Sequence, residues 1–233
     1  MKFAAIVVAA GRGVRFGRPK QLALVADRPL VAWSLAVFGA MPELEDLVIA
    51  TERDHLETMA ALAAAHAPRL TTIVVPGGAT RQESVRSAVA AVPARCTAAF
   101  VHDGARPLVN AADVRAAMVL TKPGTGVLLA EAVTDTIKVV APGTSAVIKT
   151  LDRSELWAAQ TPQFGTLADL RSAHDAAARE RFEATDDAAL LERIGCEVLI
   201  VRVSADNFKV TVRGDELLAE VILREREAAL SRG

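Results

Sequence analysis

An uninterrupted apolar segment begins near the start of the chain and ends in glycines. Residues 3–10 are rich in Val and Ile, and Gly11 and Gly13 follow them closely. A strand with one face in water alternates polar and apolar residues, whereas a strand of a parallel sheet is buried on both faces and is apolar throughout. The segment therefore predicts a strand of a parallel sheet that leads into a glycine-rich turn.

Short apolar segments of this kind alternate with helical patterns along much of the chain. Further strands are predicted at residues 47–51, 70–75, 98–102, 126–131 and 197–203. Helices are predicted at residues 29–40, 52–66, 113–120, 167–180, 186–194 and 215–230, with another that opens at Thr80. Thr185 is predicted to cap the helix at 186–194, and Thr80 and Glu83 have the spacing of a capping box. This alternation predicts an α/β fold with a doubly wound, mostly parallel sheet.

The region after residue 131 breaks this pattern. Residues 133–140 and 147–152 alternate polar and apolar side chains around the turn Ala141-Pro142-Gly143, which indicates a β-hairpin. A lone hairpin is only marginally stable in water, so we expect it to pack against a second subunit. No repeat or composition break divides the chain. The sequence therefore predicts a single domain at residues 1–233 with a projecting β-hairpin dimerisation arm at residues 132–155.

Composition excludes several classes of protein. The 233 residues are 52% hydrophobic, yet a charged residue or Pro interrupts every apolar run well short of the ~18 residues that a membrane span needs. Lys and Arg number 27 and Asp and Glu number 28, whereas non-specific nucleic-acid binding needs a cationic surface. The two cysteines are too far apart in the sequence to suggest a disulfide framework or a zinc cluster. These features predict a cytoplasmic globular protein with neither a membrane nor a nucleic-acid partner.

The segment that follows the first strand is rich in groups that bind phosphate. Its glycines allow backbone N–H groups to approach an anion, and Arg15 and Lys20 add two positive charges. Its glycines at 11, 13 and 17 do not have the spacing of the dinucleotide fingerprint, and the P-loop's Gly-Lys pair is missing. From this segment alone, a triphosphate site and an ordinary glycine-rich turn with solvated basic residues both remain open.

A series of short motifs resembles those of a known enzyme family. They are AAGxGxR at 9–15, PKQ at 19–21, GGxxRxxS at 77–84, VHDGARP at 101–107, DTIK at 135–138, DR at 152–153, LW at 156–157, QTPQ at 160–163, TDD at 185–187 and DNFKVT at 206–211. In this order they are similar to the 2-C-methyl-D-erythritol 4-phosphate cytidylyltransferase family of the non-mevalonate isoprenoid pathway, over nearly the whole chain. The resemblance implies a Rossmann-like nucleotidyltransferase that transfers CMP from CTP to 2-C-methyl-D-erythritol 4-phosphate and releases pyrophosphate.

The resemblance assigns one set of residues to CTP and to catalysis. Arg15, Lys20 and Lys209 are implied as catalytic residues, with Arg15 and Lys20 clamping the triphosphate. The residues implied in CTP binding are Ala9, Ala10, Gly11, Gly13, Gly78, Arg81, Ser84, Asp103 and Gly104. Some relatives carry Asp where Ala79 stands here, so we expect the backbone or a neighbouring residue to supply that cytosine contact.

A second set is implied in binding the acceptor. Its members are Asp103, Arg106, Thr136, Arg153, Lys209 and Thr211. Thr136 and Arg153 lie on the two limbs of the predicted arm. In the family such an arm crosses to a partner subunit, so the resemblance implies a homodimer in which each subunit completes the other's acceptor site.

The implied reaction makes simple chemical demands. A phosphomonoester has a second pKa near ~6, so the attacking oxygen is largely anionic at neutral pH and needs no general base. The difficulty is to bring several negative charges together and to stabilise the charge of the transition state. Arg and Lys side chains, with Mg²⁺ held mainly through the CTP phosphates, would meet this demand. No metal site built from protein ligands is predicted.

Three other functions remain to be weighed. A cytidylyltransferase for another polyol phosphate, such as ribitol 5-phosphate, would differ only in its acceptor contacts. A dinucleotide-dependent oxidoreductase would find a carboxylate at Glu52, but that residue lies about twice as far from the glycines as the expected ~20 residues. A non-catalytic binding module would not need the implied catalytic cations together. Asp186 and Asp187 are interpreted first as a helix N-terminus, with metal binding as the alternative, and His102 and His174 are expected in structural roles.

Overall fold

Seven strands form one sheet at the centre of the fold. The structure is a computed structural model that describes residues 1–11, 20–204 and 206–230. The strands are β1 (Phe3–Ala9), β2 (Leu24–Val25), β3 (Arg28–Pro29), β4 (Leu44–Thr51), β5 (Thr71–Pro76), β6 (Ala98–Asp103), β7 (Thr125–Ala132), β8 (Lys138–Val140), β9 (Val147–Thr150), β10 (Trp157–Thr166) and β11 (Glu197–Arg202). The helices are α1 (Leu30–Gly39), α2 (Leu56–His66), α3 (Arg81–Ala91), α4 (Ala111–Leu120), α5 (Leu167–Glu180), α6 (Asp187–Arg193) and α7 (Arg213–Leu230). None of these helices is long and apolar enough to cross a membrane.

The strands of the central sheet follow the order β11-β7-β10-β6-β1-β4-β5. Pairing is parallel between β1 and both β4 and β6, between β4 and β5, and between β7 and β11. β10 is antiparallel to both of its neighbours, β6 and β7. The other six strands therefore share one direction and place their carboxyl ends at one edge of the sheet, which confirms the predicted mostly parallel sheet.

Helices cover both faces of this sheet. Alternate residues of β1 enter two different cores: Phe3, Ala5 and Val7 join one, and Ala4 and Ile6 join the other. The first core includes side chains of α1, α2 and α4, and the second includes side chains of α3, α5 and α6. A strand buried on both sides requires an apolar residue at every position. The apolar run at the start of the chain follows from this arrangement, and the doubly wound fold is confirmed.

β10 is the strand of the central sheet that the sequence analysis missed; the short β2 and β3 were not predicted either. Its sequence, WAAQTPQFGT, contains a proline and three polar residues in its central part, so the local pattern does not predict a strand. In the structure every residue from Gln160 to Thr166 is buried, and the strand lies between β6 and β7. Pairing with two neighbouring strands stabilises an extended conformation that the sequence by itself does not favour.

Two helix starts were predicted from capping patterns. Thr80 is the N-cap of α3, and its hydroxyl accepts a hydrogen bond from the Glu83 N–H at 3.1 Å, as predicted. The predicted Thr185 cap of α6 is wrong, because the side chain of Asp186 accepts from the Ala189 N–H at 3.0 Å instead. A carboxylate is as good an N-cap as a hydroxyl and adds a favourable charge at the helix N-terminus.

The predicted arm is a β-hairpin with shorter strands than expected. β8 and β9 pair antiparallel with Lys138 opposite Thr150. β8 covers only the last three residues of the predicted 133–140, and β9 covers the first four of the predicted 147–152. At the base of the arm the Val133 N–H donates to the Leu156 carbonyl at 3.0 Å. The apolar side chains that the hairpin leaves exposed are Ile137, Val140, Val147 and Ile148.

Candidate functional site

The loop that follows β6 lies directly against the end of β1. Val8 is paired with Asp103 in the sheet, and the Gly104 N–H donates to the Val8 carbonyl at 2.9 Å. A Cβ at Gly104 would lie 3.2 Å from that carbonyl oxygen and 3.2 Å from Val31 Cγ2, so the neighbouring atoms would have to move by a few tenths of an ångström to admit a side chain. The parallel pairing thus brings Asp103 and Gly104 beside Ala9, the first residue of the implied CTP site.

Asp103 holds two cations that come from distant parts of the chain. Its Oδ1 accepts from Arg81 Nε at 3.0 Å, and its Oδ2 accepts from Lys209 Nζ at 2.7 Å. The residue is only 7% exposed. Burial by itself would raise the pKa of Asp103, but the charges of Arg81 and Lys209 outweigh it and hold the pKa well below its usual range. Asp103 is therefore a carboxylate at neutral pH that orients two cations.

Arg81 bridges Asp103 to a second, deeper carboxylate. It is the first residue of α3, and one of its Nη atoms lies 2.9 Å from Asp187 Oδ2. Burial would lower the pKa of Arg81, but the two carboxylates outweigh burial and raise the pKa above its ordinary value. The guanidinium therefore remains charged while most of its surface is out of contact with water.

His102 lies behind the site, on the opposite side of β6 from Asp103. This position agrees with the structural role expected for His102. The side chain is fully buried, and burial lowers the pKa of His102 to about 4, so the ring is neutral. Its Nε2 lies 3.0 Å from the Arg106 carbonyl oxygen, which can only accept, so Nε2 carries the proton. Its Nδ1 then accepts from the Thr161 hydroxyl at 3.3 Å, and that hydroxyl oxygen accepts the Asp103 N–H at 3.0 Å.

Arg106 connects the loop after β6 to the segment that carries Lys209. Its guanidinium donates to the Asn207 carbonyl at 2.8 Å, and Asn207 Nδ2 donates to the Thr161 carbonyl at 2.9 Å. The Val210 N–H donates to the Ala105 carbonyl at 2.9 Å. Arg106 Nε is buried and has no hydrogen-bond partner among the described residues. These bonds place Lys209 at the carboxyl edge of the sheet and leave Arg106 with a donor to spare.

Thr211 and Lys20 are associated with Asp215, a residue that the sequence analysis did not single out. The Thr211 hydroxyl and N–H both donate to Asp215 Oδ2, at 2.8 and 2.6 Å. Burial would raise the pKa of Asp215, but its hydrogen bonds and the charge of Lys20 lower it. Asp215 is therefore an anion that fixes Thr211 at the start of α7.

The implied nucleotide residues meet at a close contact between two loops. A Cβ at Gly77 would lie 2.4 Å from Ala10 Cβ and 2.8 Å from Ser84 Oγ, so only glycine allows this approach. The Gly78 N–H donates to Ser84 Oγ at 3.0 Å. The Gln21 side chain donates to the Gly11 carbonyl at 3.1 Å and thereby fixes the edge of the first loop. The structure thus brings Ala10, Gly78 and Ser84 together.

The remaining predicted residues are placed differently. Gly13 and Arg15 lie outside the described residues. Thr136 and Arg153 lie on the exposed arm, where the Arg153 guanidinium donates to the Thr134 carbonyl at 2.8 Å. Within the described residues, no hydrogen bond joins either of them to Asp103. Their predicted acceptor roles remain predictions, as do the nucleotide roles of Arg81 and Asp103.

Sequence reasoning missed several residues that build this site. Thr161 and Asn207 lie in the QTPQ and DNFKVT motifs, so the motifs contained a signal although no role was assigned to these two residues. His174 gave no signal, because its partner Asp187 is 13 residues away and lies on a different helix. The pairing of Arg81 with Asp187 likewise depends on how α3 and α6 pack.

The site as a whole is suited to binding anions. Arg81, Arg106 and Lys209 converge on the carboxyl edge of the sheet, where open α/β folds bind their ligands. Among the described residues, the carboxylates that pair with Arg81 and Lys209 are Asp103 and Asp187. A phosphorylated ligand at this edge would meet cations that are already positioned.

Comparisons with known proteins agree on one family. A family model described as 2-C-methyl-D-erythritol 4-phosphate cytidylyltransferase matches residues 3–225. The enzyme of that name from Halalkalibacterium halodurans is 37% identical over 229 residues, which are 97% of this chain and 99% of the relative. The one from Gloeobacter violaceus is 38% identical over 221 residues, which are 94% of this chain and 95% of the relative.

Solved structures are similar over nearly the same length. The crystal structure of 2-C-methyl-D-erythritol 4-phosphate cytidylyltransferase from Thermus thermophilus has a TM-score of 0.76 at 31% identity and covers 94% of this chain and 98% of that chain. The 4-diphosphocytidyl-2C-methyl-D-erythritol synthase from Anaerococcus prevotii has a TM-score of 0.83 at 22% identity, with coverage of 95% and 98%. The second likeness shows a shared fold.

Proposed function

The chain belongs to the 2-C-methyl-D-erythritol 4-phosphate cytidylyltransferase family, and on this premise we propose that its site transfers CMP from CTP to 2-C-methyl-D-erythritol 4-phosphate. The products are 4-diphosphocytidyl-2-C-methyl-D-erythritol and pyrophosphate. The observation that carries the proposal is Asp103, which holds Arg81 and Lys209 at the carboxyl edge of the sheet, beside the implied CTP loops. A nucleotidyltransferase needs fixed cations at this place and no acid–base pair.

The reaction begins with an acceptor phosphate oxygen that attacks the α-phosphorus of CTP. One P–O bond forms to that oxygen, the bond to the β-phosphate oxygen breaks, and pyrophosphate leaves with its electron pair. The acceptor is already anionic near neutral pH because its second pKa is about 6. Catalysis therefore consists of holding the two phosphates in line and neutralising the charge that develops between them.

The chain's own residues divide this work. Ala10, Gly78 and Ser84 lie together where the cytosine and ribose end would bind. Lys209, which Asp103 orients, meets the incoming phosphates, while the Arg106 guanidinium, held by the Asn207 carbonyl, lies at the same edge for the acceptor. Lys20, with Arg15 from the same loop, clamps the triphosphate, as the family resemblance implies.

Mg²⁺ fits this site as an ion carried mainly by the CTP phosphates. The described residues contain no group of three or more His, Cys, Asp or Glu that could hold a metal, and both Asp103 oxygens already accept from cations. Mg²⁺ commonly binds through one carboxylate, waters and substrate phosphates. When bound, it would neutralise phosphate charge, while Asp103 keeps its contacts with Arg81 and Lys209.

The arm supports a homodimer in which each subunit completes the acceptor site of the other. Ile137, Val140, Val147 and Ile148 are exposed on a two-stranded hairpin, which is marginally stable without a packing surface. Thr136 and Arg153 lie on the same arm, and the family resemblance implies that they complete the acceptor site of the partner that covers it. Both cysteines are free thiols, which suits a cytoplasmic enzyme that draws on the CTP pool.

The experiment that tests the proposed function compares two acceptors. Pyrophosphate release is measured with CTP and Mg²⁺, in parallel with 2-C-methyl-D-erythritol 4-phosphate and with ribitol 5-phosphate. We expect kcat/KM to favour the first acceptor by ~10² or more, because polar groups placed for one polyol are left unpaired by another. Turnover with ribitol 5-phosphate alone would assign the enzyme to that acceptor, and no turnover with either would refute the proposal.

A further inference from the structure

A buried carboxylate beneath the site takes no part in the mechanism described above. Asp187 is 1% exposed and is the first residue of α6. Its backbone N–H and that of Ala188 both donate to Gln163 Oε1, at 2.8 and 2.9 Å. Gln163 belongs to β10, so the position of this carboxylate is fixed relative to the central sheet.

The buried His174 and the partly buried Arg81 hold the Asp187 side chain. Oδ1 lies 3.1 Å from His174 Nε2, and Oδ2 lies 2.9 Å from an Arg81 Nη atom. Burial would raise the pKa of Asp187, but Arg81 and His174 together outweigh burial and lower it, so the side chain is a carboxylate. Because a carboxylate only accepts, His174 donates from Nε2. The result is an unbroken chain of contacts from His174 through Asp187, Arg81 and Asp103 to Lys209.

Such an arrangement is costly to bury and calls for an explanation. Replacing a buried ion pair by apolar residues is often neutral or stabilising, so a buried carboxylate is weak evidence for a role in stability alone. The geometry of the guanidinium suggests what the carboxylate does. An Arg side chain beside a lone carboxylate tends to form two parallel hydrogen bonds, one to each oxygen.

In this site a bidentate hydrogen bond between the Arg81 guanidinium and Asp103 would occupy both Asp103 oxygens. Lys209 would then have to share Oδ2 with the Arg81 guanidinium, and the two positive charges would repel each other. Asp187 prevents this because it engages the Nη end of Arg81, so that only Nε reaches Asp103 Oδ1. Oδ2 is left for Lys209 at 2.7 Å.

We propose that Asp187 is a positioning residue for the cytidylyl transfer: it fixes the orientation of Arg81, and thereby leaves one oxygen of Asp103 to orient Lys209. His174 holds Asp187 in the required rotamer. The inference rests on the proposed function, since it concerns the same site. It assigns a role to the second aspartate of the TDD motif, for which the sequence offered only a helix N-terminus or a metal ligand.

The test is the Asp187→Asn variant, which keeps the shape of the side chain and removes its charge. We expect kcat/KM for CTP to fall by ~10-fold to 10²-fold, because small misplacements of positioning groups cost about this much. The matched control is Asp46→Asn. Asp46 is also 1% exposed and paired with an arginine, Arg95, but it lies near the amino end of β4, away from the site. We expect both variants to lower the melting temperature, and only Asp187→Asn to lower kcat/KM.

A double substitution separates positioning from general destabilisation. If Asp187 acts through Arg81, adding Asp187→Asn to Arg81→Ala should reduce kcat/KM no further, and it should raise the melting temperature by relieving an unpaired buried charge. Independent, multiplicative losses in the double variant would overturn the proposal. So would an Asp187→Asn enzyme with the kcat/KM of Asp46→Asn.

His174 supplies a second variant in case Asp187→Asn does not fold. His174→Gln can keep a donor near Asp187 Oδ1, whereas His174→Leu cannot. We expect a lower kcat/KM for His174→Leu and substantial recovery for His174→Gln at similar melting temperatures. Equal activity in the two variants would contradict the role given to His174. An inactive wild-type chain would instead refute the proposed function, and the two failures are therefore distinguishable.

Discussion

Asp103 contacts two cations because three separate parts of the chain come together at this residue. β6 carries the carboxylate, α3 begins with Arg81, and the segment before α7 carries Lys209. A buried, doubly paired carboxylate has little freedom to rotate, so the cations around it are oriented before a substrate arrives. At the scale of single residues, the site depends on preorganised charge.

The two cations proposed to clamp the triphosphate give the first prediction. Lys20→Ala and Arg15→Ala each remove one of these positive charges. We expect kcat for pyrophosphate release to fall by ~10² or more in either variant, because such donors act on the transition-state charge. Lys2→Ala is a suitable control, since Lys2 is exposed and pairs only loosely with Glu45, at 3.6 Å. A near-normal kcat in either loop variant would show that the clamp is assigned to the wrong residue.

His102 gives a prediction about the pH dependence of stability. Burial lowers the pKa of His102 from its ordinary 6.5 to about 4. Between these two values the unfolded chain binds a proton at this ring and the folded protein does not, so stability rises with pH there. The contribution of the neutral ring is complete above pH 6.5 and is lost as the pH falls toward 4.

The magnitude follows from about 1.4 kcal/mol for each pKa unit. From pH 7 to pH 4, we expect the free energy of unfolding to fall by about 3 kcal/mol more in the wild type than in His102→Gln. Urea denaturation at several pH values measures both curves. Since all other groups are shared, parallel curves would mean that His102 does not carry the depressed pKa.

At the scale of elements, the loops at the carboxyl edge approach one another more closely than most side chains would allow. Gly77 is the clearest case, because a Cβ there would lie 2.4 Å from Ala10 Cβ. The capping of α3 by Thr80 fixes the other end of the same loop. Small residues in this region are therefore required by the approach of two loops and not by a turn with positive φ.

Substitution of Gly77 tests this contact. We expect Gly77→Ala to raise KM for CTP by ~10-fold or more, since one loop must move away from the other and positioned groups move with it. Gly214→Ala is the matched control, because a Cβ at Gly214 in α7 meets nothing within 4 Å. Alanine should there stabilise the helix by ~1 kcal/mol. Titration with CTP measures the affinity of both variants. An affinity of Gly77→Ala equal to that of the wild type and of Gly214→Ala would contradict the role given to this contact.

Local patterns predicted most elements, and the exceptions have physical causes. The parallel strands and their helices have strong apolar patterns because both faces of the sheet are covered. β10 has a weak pattern, and its extended conformation comes from pairing with β6 and β7. The cap of α6 was assigned one residue too early, because Thr185 and Asp186 are both good N-caps and only the backbone decides between them.

At the scale of the whole molecule, the proposed homodimer would build each acceptor site from residues of two chains. In such a dimer, Arg153→Ala would disable the contribution of a subunit to its partner's site. Lys20→Ala would disable the contribution of a subunit to its own site. We expect a mixture of these two inactive variants to recover activity after subunit exchange, since a hybrid dimer contains one intact site. Rates are measured after mixing, with mass photometry to confirm the hybrids. Confirmed hybrids without activity would rule out a shared site.

The exposed apolar side chains of the arm give a further expectation for the dimer. Ile148→Lys places a charge on a surface that is expected to be covered, so we expect the dimer to dissociate at concentrations where the wild type remains associated. Analytical ultracentrifugation measures this difference. The control is Val119→Lys, because Val119 is 84% exposed on α4, outside the arm. An unchanged association constant for Ile148→Lys would place the interface elsewhere.

The sequence by itself determined the α/β class, the parallel strands, the arm and the family, because apolar periodicity and motif order are local properties of the chain. It also identified Asp103, Lys209 and Arg106, since each lies within such a motif. The tertiary structure decided which of these groups contact one another. The bridge from Asp103 through Arg81 to Asp187 and His174 joins a strand to three helices, and no spacing along the chain encodes the packing that creates it.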